Sequence, residues 1–321
     1  MTLFRLGYVA MSVHVKNSSP SQTMSYKSFS NVEDEEAAIH KLEKIAKSKI
    51  SNCFRLLIHN KANDIHFFRL SSRLVPLATH EKVRWDYKKA LKDDFLKLGQ
   101  YALEHQMRID FHPDHFVVLN SPDKEILKTS ILTLDHHYQL LKLMNIPTMH
   151  RCVFHLGGKY EDKEESLERF ISNWAIVPNR IQQMIILEND DKTYTIEDIL
   201  YVCEKLNIPF CFDLHHHIAN HDDPDWIVHW ARIVNTWNYS PLPMKMHISS
   251  PKSKQQFRAH ADYINGEQFL SFAKKINHSV KQLDCMIEAK QKDDALFQLV
   301  NDLEQYSEVQ MVDQASFTIN V

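Results

Sequence analysis

The sequence predicts an α/β protein with the (β/α)8 TIM-barrel fold, in which one domain spans residues 1–321. Short apolar segments rich in β-branched and aromatic residues alternate with longer segments that repeat apolar residues at helical spacing. Eight such units follow one another without a linker, and 321 residues are enough for a barrel, which commonly needs about 200 to 300. Alternating strands and helices favour a parallel sheet, and eight units favour its closure. An open doubly wound sheet is the alternative.

Each unit begins with a predicted strand. The strands are expected at residues 4–11, 65–71, 108–112, 151–156, 184–188, 210–214, 244–248 and 284–289. Between them, helices are expected at residues 33–60, 85–105, 123–144 and 196–206, among others. Two of these helices end at Asn-Ile-Pro, where the proline stops the helix and a strand follows. Residues 304–321 are less periodic and are expected to form a tail that packs on the outside.

Composition narrows the class of protein. Hydrophobic residues make up 44% of the chain, no stretch is long and apolar enough for a membrane helix, and the N-terminus does not resemble a signal peptide. The five scattered cysteines favour reduced core residues in a cytoplasmic protein. Glycine is sparse, and neither GxGxxG nor GxxxxGK[ST] occurs, so we expect no nucleotide cofactor. With a net charge of −3, binding to nucleic acid would need a local basic surface.

Ionisable residues stand at the C-terminal end of six successive strands. They are His112, His155, Glu188, Asp213, His247 and Glu288. Because residues two apart in a strand share a face, each can point into the mouth while an apolar neighbour such as Val153 or Ile186 fills the barrel interior. The C-terminal mouth is where barrel enzymes place their active sites.

Divalent metal ions are the natural partners for such a cluster. Buried ionisable groups are costly without partners, and mixed imidazole and carboxylate ligands suit Mn, Fe and Zn. His216, one turn after Asp213, and His260 extend the set to eight ligands, enough for two or three ions. Multi-metal sites of this kind activate water at phosphoryl centres. Taken singly, each residue could also be structural: Glu188 could cap a helix, and Glu288 could pair with Lys290.

A basic segment follows the seventh strand. Residues 249–260 carry Lys252, Lys254 and Arg258 and no acidic residue. A segment of this kind is either an ordinary solvated loop or, beside the mouth, a surface for backbone phosphates.

With these motifs in place, the chain resembles the UV-damage DNA endonuclease family, a relative of the endonuclease IV-type barrels. The resemblance spans residues 5–292. The matching motifs are RLGY (5–8), RLSSRLVPLATH (69–80), FHP (111–113), HLGG (155–158), LEND (187–190), DLHHH (213–217), KMH (245–247), AHADY (259–263) and EAKQKD (288–293).

The resemblance implies roles for the metal ligands. His112 and His155 would hold one ion that Glu188 bridges to a second, and Asp213, His247 and Glu288 would complete the second site. His216 and His260 would hold a third ion. Lys245 matches a lysine that can be carboxylated and then offers a further oxygen ligand; a lysine that neutralises phosphate charge is the alternative.

The resemblance also implies residues that act on DNA. Catalytic roles fall to Glu188, Lys245, His80 and Lys290. Tyr8 matches an aromatic residue near the damaged bases. His115 and Phe116 stand where family members often carry Gln-Tyr inserted into the duplex, so the wedge keeps a ring but loses the tyrosine hydroxyl.

The implied activity is metal-dependent hydrolysis of the phosphodiester immediately 5′ of UV photoproducts (cyclobutane dimers and 6-4 products), which starts excision repair. The expected partner is damaged double-stranded DNA, and the protein is expected to act as a monomer in the cytoplasm, or at the nucleoid if bacterial. Manganese is the first choice because the ligands offer only nitrogen and oxygen, with Mg²⁺, Co²⁺ or Zn²⁺ as alternatives. The rival functions are an abasic-site endonuclease, a sugar isomerase or epimerase on the same barrel, and a damage sensor that does not cut.

Overall fold

The barrel consists of eight parallel strands. A computed structural model describes residues 1–320. The strands are β1 (Leu3–Val9), β2 (Phe67–Arg69), β3 (Arg108–Asp110), β4 (Cys152–His155), β5 (Ile185–Glu188), β6 (Phe210–Asp213), β7 (Met244–Ile248) and β8 (Gln282–Ile287). They pair in the order β3-β2-β1-β8-β7-β6-β5-β4. A parallel bridge between Phe111 and Cys152 then joins the two ends of this order. The predicted TIM barrel is confirmed, and the open doubly wound alternative is wrong.

Helices occupy the connections between the strands. They are α1 (Tyr26–Ser30), α2 (Glu35–Ala62), α3 (Tyr87–Ala90), α4 (Lys92–Glu104), α5 (Lys124–Leu143), α6 (Lys163–Trp174), α7 (Asn179–Gln182), α8 (Ile196–Leu206), α9 (Leu214–Ala219), α10 (Ile227–Asn235), α11 (Gly266–Ile276) and α12 (Lys292–Leu303).

Local sequence sets the ends of several helices. Asp34, Asp123 and Asp162 cap α2, α5 and α6 by accepting hydrogen bonds from main-chain amides of the first turn. Helix α8 begins at a capping box formed by Thr195 and Asp198. It ends at Asn207 in the left-handed conformation, directly before Ile208-Pro209.

The last residues form a hairpin. Strands β9 (Val309–Asp313) and β10 (Ser316–Ile319) pair with each other, and β10 pairs antiparallel with the N-terminal half of β1. The segment expected to be a tail that packs on the outside therefore forms strands that extend the barrel sheet. Val321, the last residue of that prediction, lies outside the described residues.

A layer of buried ion pairs lies inside the barrel beneath the mouth. The Arg108 guanidinium lies between Asp110 and Asp284, at distances of 3.0 and 2.9 Å. The Lys245 ammonium lies 3.3 Å from Asp110, and Arg5 pairs with Asp284 at 2.8 Å. These pairs compensate charge at a depth where an unpaired ion would be very costly.

The five cysteines are all free and buried, as predicted for reduced core residues. Within residues 1–320, no helix has both the length and the apolar character needed to cross a membrane.

Candidate metal centre

Glu188, at the end of β5, is the central residue of the mouth. Its Oε2 lies 3.0 Å from Nε2 of His112, which follows β3, and 3.9 Å from Nε2 of His155, the last residue of β4. Its Oε1 lies 2.8 Å from Nδ1 of His247 on β7. A single carboxylate therefore touches or approaches three imidazoles from three strands.

Asp213 and His216 form a second group beside Glu188. Asp213 ends β6 and caps α9 by accepting a hydrogen bond from the main-chain amide of His216 at 2.7 Å. This turn brings Nδ1 of His216 to 3.7 Å from Asp213 and 3.5 Å from Glu188. Asn189 fixes the arrangement, because it exchanges two hydrogen bonds of 2.9 Å with the Asp213 backbone.

Glu288 follows β8 and completes a third group. Its Oε1 lies 3.2 Å from Nδ1 of His247 and accepts a hydrogen bond from Arg69 at 2.5 Å. Its Oε2 lies 3.8 Å from Nδ1 of His260. Arg69 thus supplies a cation that neutralises part of the acidic cluster.

Electrostatics divides the histidines into two kinds. Burial, followed by the positive charge of Arg69, lowers the pKa of His112 to about 4, and burial also lowers the pKa of His155 and His247 well below the usual value. These three imidazoles are neutral near pH 7, the form that binds metals. Burial opposes the charged form of His216 too, but the carboxylates of Asp213 and Glu188 outweigh it and raise its pKa to about 9.

The three carboxylates are also unequal. Burial raises the pKa of Glu188 well above its usual range, and the neighbouring charges of Glu288 and Asp213 add to that effect. Burial acts on Glu288 in the same direction, but Arg69 and His247 hold its pKa well below the usual range. Glu188 is therefore the carboxylate whose negative charge is least compensated by the protein, and it lies where a divalent cation would supply positive charge.

The donor set fits divalent metal ions. Three groups have ligand atoms within 4.8 Å of one another: His112–His155–Glu188, Glu188–Asp213–His216, and Glu188–His247–Glu288. In addition, Oδ2 of Asp213, Nε2 of His247 and Nδ1 of His155 are buried without a hydrogen-bond partner among residues 1–320. Buried polar atoms without partners are rare, so a ligand for them is expected. The structure groups Asp213 with His216, whereas the sequence prediction joined it to His247 and Glu288.

Two predicted site residues lie away from this cluster. Tyr8 is 0% exposed, and its hydroxyl donates a hydrogen bond of 2.7 Å to Asn60 on α2. It faces the helices because its neighbour Gly7 pairs with the interior residue Met286, so the predicted contact of Tyr8 with damaged bases is wrong for this conformation. Lys245 is also 0% exposed and pairs with Asp110 in the layer beneath the ligands, with Nζ 5.4 Å above the Phe67 ring.

The remaining predicted residues lie outside the three ligand groups. Lys252, Lys254, Arg258 and Lys290 are exposed, and Nε of Arg258 lies 3.8 Å from Asp191. His80 is half-buried and stacks on Tyr26, with ring centroids 4.3 Å apart.

His115 and Phe116 project from the loop after β3. Their rings lie 4.3 Å apart, and Phe116 is 60% exposed. A cavity of about 900 Å³ opens beside Phe116. Its walls come from the segment 72–80, from the loop 114–118 and from α5, and its floor includes His137, whose ring packs on Phe111 next to the ligand His112.

Sequence reasoning missed two residues that organise the centre. Arg69 is the last residue of β2. Its position at a strand end, like that of the predicted ligands, is the sequence feature that could have identified it as a residue of the mouth. Asn189 directly follows Glu188 in the LEND motif, but its pairing with Asp213 depends on β5 and β6 being neighbours. No residue pattern alone reveals that contact.

A parallel eight-stranded barrel with clustered histidines and carboxylates at its C-terminal mouth is the architecture of metal-dependent barrel enzymes. The UV-endonuclease UvdE family model matches residues 4–319. A UV DNA damage endonuclease of Halalkalibacterium halodurans is 51% identical over 318 residues, which cover 98% of this chain and 99% of that protein. A UV DNA damage endonuclease of Bacillus cereus is 40% identical over 304 residues, covering 94% and 95%. The chain therefore belongs to the UvdE family of UV endonucleases, and it is a DNA endonuclease that acts on UV damage.

Solved structures agree with this assignment. The crystal structure of SacUVDE has a TM-score of 0.83 at 29% identity, and the match covers 94% of this chain and 98% of that one. Endonuclease IV from Thermus thermophilus has a TM-score of 0.56 at 12% identity, with 94% and 100% covered, so that likeness concerns the fold alone.

Proposed function

We propose that this enzyme hydrolyses the phosphodiester immediately 5′ of UV photoproducts, both cyclobutane dimers and 6-4 products, and so starts excision repair. The observation that carries the proposal is the convergence of three ligand groups on Glu188 at the barrel mouth, in a chain of the UvdE family. The products would be a 3′-hydroxyl and a 5′-phosphate.

Two or three divalent ions, with Mn²⁺ the first choice over Mg²⁺, Co²⁺ or Zn²⁺, are proposed as cofactors. His112, His155 and Glu188 would hold one ion, and His247 with Glu288 would hold a second that shares Glu188. Asp213, His216 and His260 would serve a third. When bound, the ions would activate water and neutralise charge on the phosphoryl group.

The side chains around the ligands prepare the site for substrate. Arg69 holds the Glu288 carboxylate and Asn189 holds the Asp213 backbone, and these contacts are proposed to preset both ligands before DNA arrives. Lys290 and His80 are proposed to contact the scissile phosphate. Lys252, Lys254 and Arg258 are proposed to contact the backbone phosphates beside it.

Lesion recognition is assigned to the loop after β3. The exposed rings of His115 and Phe116 are proposed to enter the duplex and stack where the damaged bases have left. The cavity beside Phe116 has room for displaced bases, and its floor adjoins the ligand His112. A wedge beside such a pocket would favour lesions that already weaken base stacking.

Carboxylation of Lys245 is kept as a proposal. Four buried or half-buried cations, Arg5, Arg108, Arg151 and Lys245, face only Asp110 and Asp284 in the ion-pair layer. Carboxylation would replace one of these cations with an anion and reduce the excess positive charge. An intact mass about 44 Da above that of the unmodified chain would support it.

Incision assays test the proposed reaction. Duplexes that carry one cyclobutane dimer, one 6-4 product or one abasic site, each labelled at either end, are treated with the Mn²⁺-loaded protein. The proposal predicts a single cut 5′ of both photoproducts, with a 3′-hydroxyl that a polymerase extends. Cutting at the abasic site alone would replace the proposal with an abasic-site endonuclease.

We also propose that the enzyme acts as a monomer in the cytoplasm. Sedimentation with and without DNA tests whether it is a monomer.

A further inference from the structure

His215 lies between the metal centre and the basic loop, which comprises residues 249–260. It is 0% exposed and stands on α9 between the ligand candidate His216 and His217. Neither ring nitrogen makes a hydrogen bond of good geometry among residues 1–320, although the main chain of Arg258, in the basic loop, lies close enough to interact with the ring. A buried imidazole of this kind costs free energy, so its position calls for a physical reason.

The His215 ring contacts two residues of the basic loop. The His260 ring meets it edge to face, with centroids 5.6 Å apart and an interplanar angle of 88°. The Phe257 ring lies 5.9 Å away at 33°. One buried side chain therefore touches both a ligand candidate and the tip of the loop that carries Lys252, Lys254 and Arg258.

The base of the basic loop is held differently from its tip. Main-chain hydrogen bonds close the base, from Ala261 to Ser250 at 2.8 Å and from Lys252 to Ala259 at 2.7 Å. Residues 252–258 are exposed, and Phe257, which is 37% exposed, is the one large apolar side chain among them. The contact between Phe257 and His215 is thus the apolar attachment of the tip to the barrel.

We propose that His215 is a positioning residue that orients His260 towards Glu288 and fixes the basic loop beside the mouth. Outer-sphere partners of metal-binding histidines commonly set ring orientation, and their loss weakens metal affinity by about 10- to 100-fold. The ring performs this role by packing against Phe257 and His260. For its effect on DNA and on the third metal site, the inference rests on the function proposed above.

The test uses the full-length protein without DNA, so its result does not depend on incision. Hydrogen exchange measures the opening of residues 252–258, and calorimetric titration with Mn²⁺ measures metal affinity. The variants are His215→Ala, His215→Phe and Phe257→Ala. The control is His217→Ala, which removes the next buried histidine of α9, whose Nε2 faces the main chain of Pro224 at 3.2 Å.

In His215→Ala, we expect exchange in the loop tip to rise about tenfold and the weakest Mn²⁺ site to weaken about tenfold. His215→Phe keeps the ring and should stay within about twofold of wild type in both measurements. Phe257→Ala should loosen the loop but leave the Mn²⁺ titration unchanged, and adding it to His215→Ala should produce no further loosening. His217→Ala should change neither quantity.

Three results would overturn the inference. One is wild-type exchange and metal affinity in His215→Ala. Another is a His215→Phe variant as impaired as the alanine variant, which would assign the role to the nitrogens. The third is a Phe257→Ala variant with an unloosened loop, an outcome that can be measured even if His215→Ala fails to fold. A wild-type protein that binds Mn²⁺ but does not incise damaged DNA would contradict the proposed function instead and would leave the exchange and titration results for His215 intact.

Discussion

Nδ1 of His247 lies 2.8 Å from Oε1 of Glu188, so residues of β7 and β5 meet across the end of β6. The other oxygen of the same carboxylate contacts His112 from β3. Glu188 therefore belongs to all three ligand groups of the mouth. Its loss should affect every metal site, whereas loss of a peripheral residue should affect one.

Arg69 should stabilise the metal-free centre through Glu288. Arg69→Gln leaves a mostly buried carboxylate with less compensation, so we expect the free energy of unfolding of the metal-free protein to fall by about 1–3 kcal/mol. Incision should fall about 10- to 100-fold because Glu288 loses its orientation. Urea unfolding and a single-turnover assay measure the two effects. Arg180→Gln, which breaks an exposed pair with Asp135, is the control and should change neither.

Phe116 should contribute to binding of damaged duplex and little to stability. Because its ring is 60% exposed, Phe116→Ala should leave the melting temperature unchanged. Without its ring to stack on the bases, Kd for a dimer-containing duplex should rise about tenfold, and fluorescence anisotropy measures this. Tyr239→Ala removes an aromatic residue that is 78% exposed, just before β7 at the other end of the barrel, and serves as control. Equal affinities for wild type and Phe116→Ala would remove the wedge from the proposal.

The basic loop should determine part of the salt dependence of DNA binding. Replacing Lys252 and Lys254 with Gln removes two cations that are proposed to neutralise backbone phosphates. The slope of log K against log salt concentration should then become shallower by about 0.9 for each phosphate left without its lysine. The matched control replaces Lys205 and Lys281 with Gln. These two lysines precede β6 and β8 and therefore lie at the end of the barrel opposite the mouth. An unchanged slope would mean that the loop is only a solvated surface.

His136 should make the fold sensitive to acid. Burial lowers its pKa to about 3, and the ring accepts the Tyr87 hydroxyl at 2.9 Å when neutral. The unfolded chain binds the proton at about pH 6.5 but the folded chain does not, so stability falls as pH drops below about 6.5. At about pH 5 this effect lowers the free energy of unfolding by about 2 kcal/mol relative to neutral pH.

His136→Gln cannot take up that proton and should show a shallower fall in unfolding free energy between about pH 7 and pH 5. Urea titrations at several pH values measure it. The other buried histidines leave a residual slope in both proteins. Parallel curves for the two proteins would show that His136 does not contribute.

The sequence was sufficient for the barrel and for the residues that converge on its mouth. Two regularities of parallel sheets explain this success. Side chains two residues apart, such as those of Val153 and His155, share one face of a strand, and all parallel strands of a barrel end at the same mouth. Tyr8 shows the limit, because the interior position of β1 falls on Gly7, which has no side chain to mark it. The C-terminal hairpin was also missed, since β9 has no buried residue and so carries no core pattern.

The grouping of the ligands could not be read from the chain alone. Asp213 lies with His216 because the Asp213 side chain caps α9, a local turn that fixes both residues. The link between Arg69 and Glu288 joins positions far apart in sequence and exists only once the barrel has closed.

The measurement that tests the central claim most directly is incision of a labelled duplex with one cyclobutane dimer by wild type and Glu188→Gln, with metal content determined for both. The account predicts one Mn²⁺-dependent cut 5′ of the dimer in wild type. In Glu188→Gln it predicts loss of bound metal and a rate lower by about 10³-fold or more. Glu204→Gln, at an exposed pair with Arg232, should cut normally. Wild-type incision by Glu188→Gln would contradict the assignment of the metal centre.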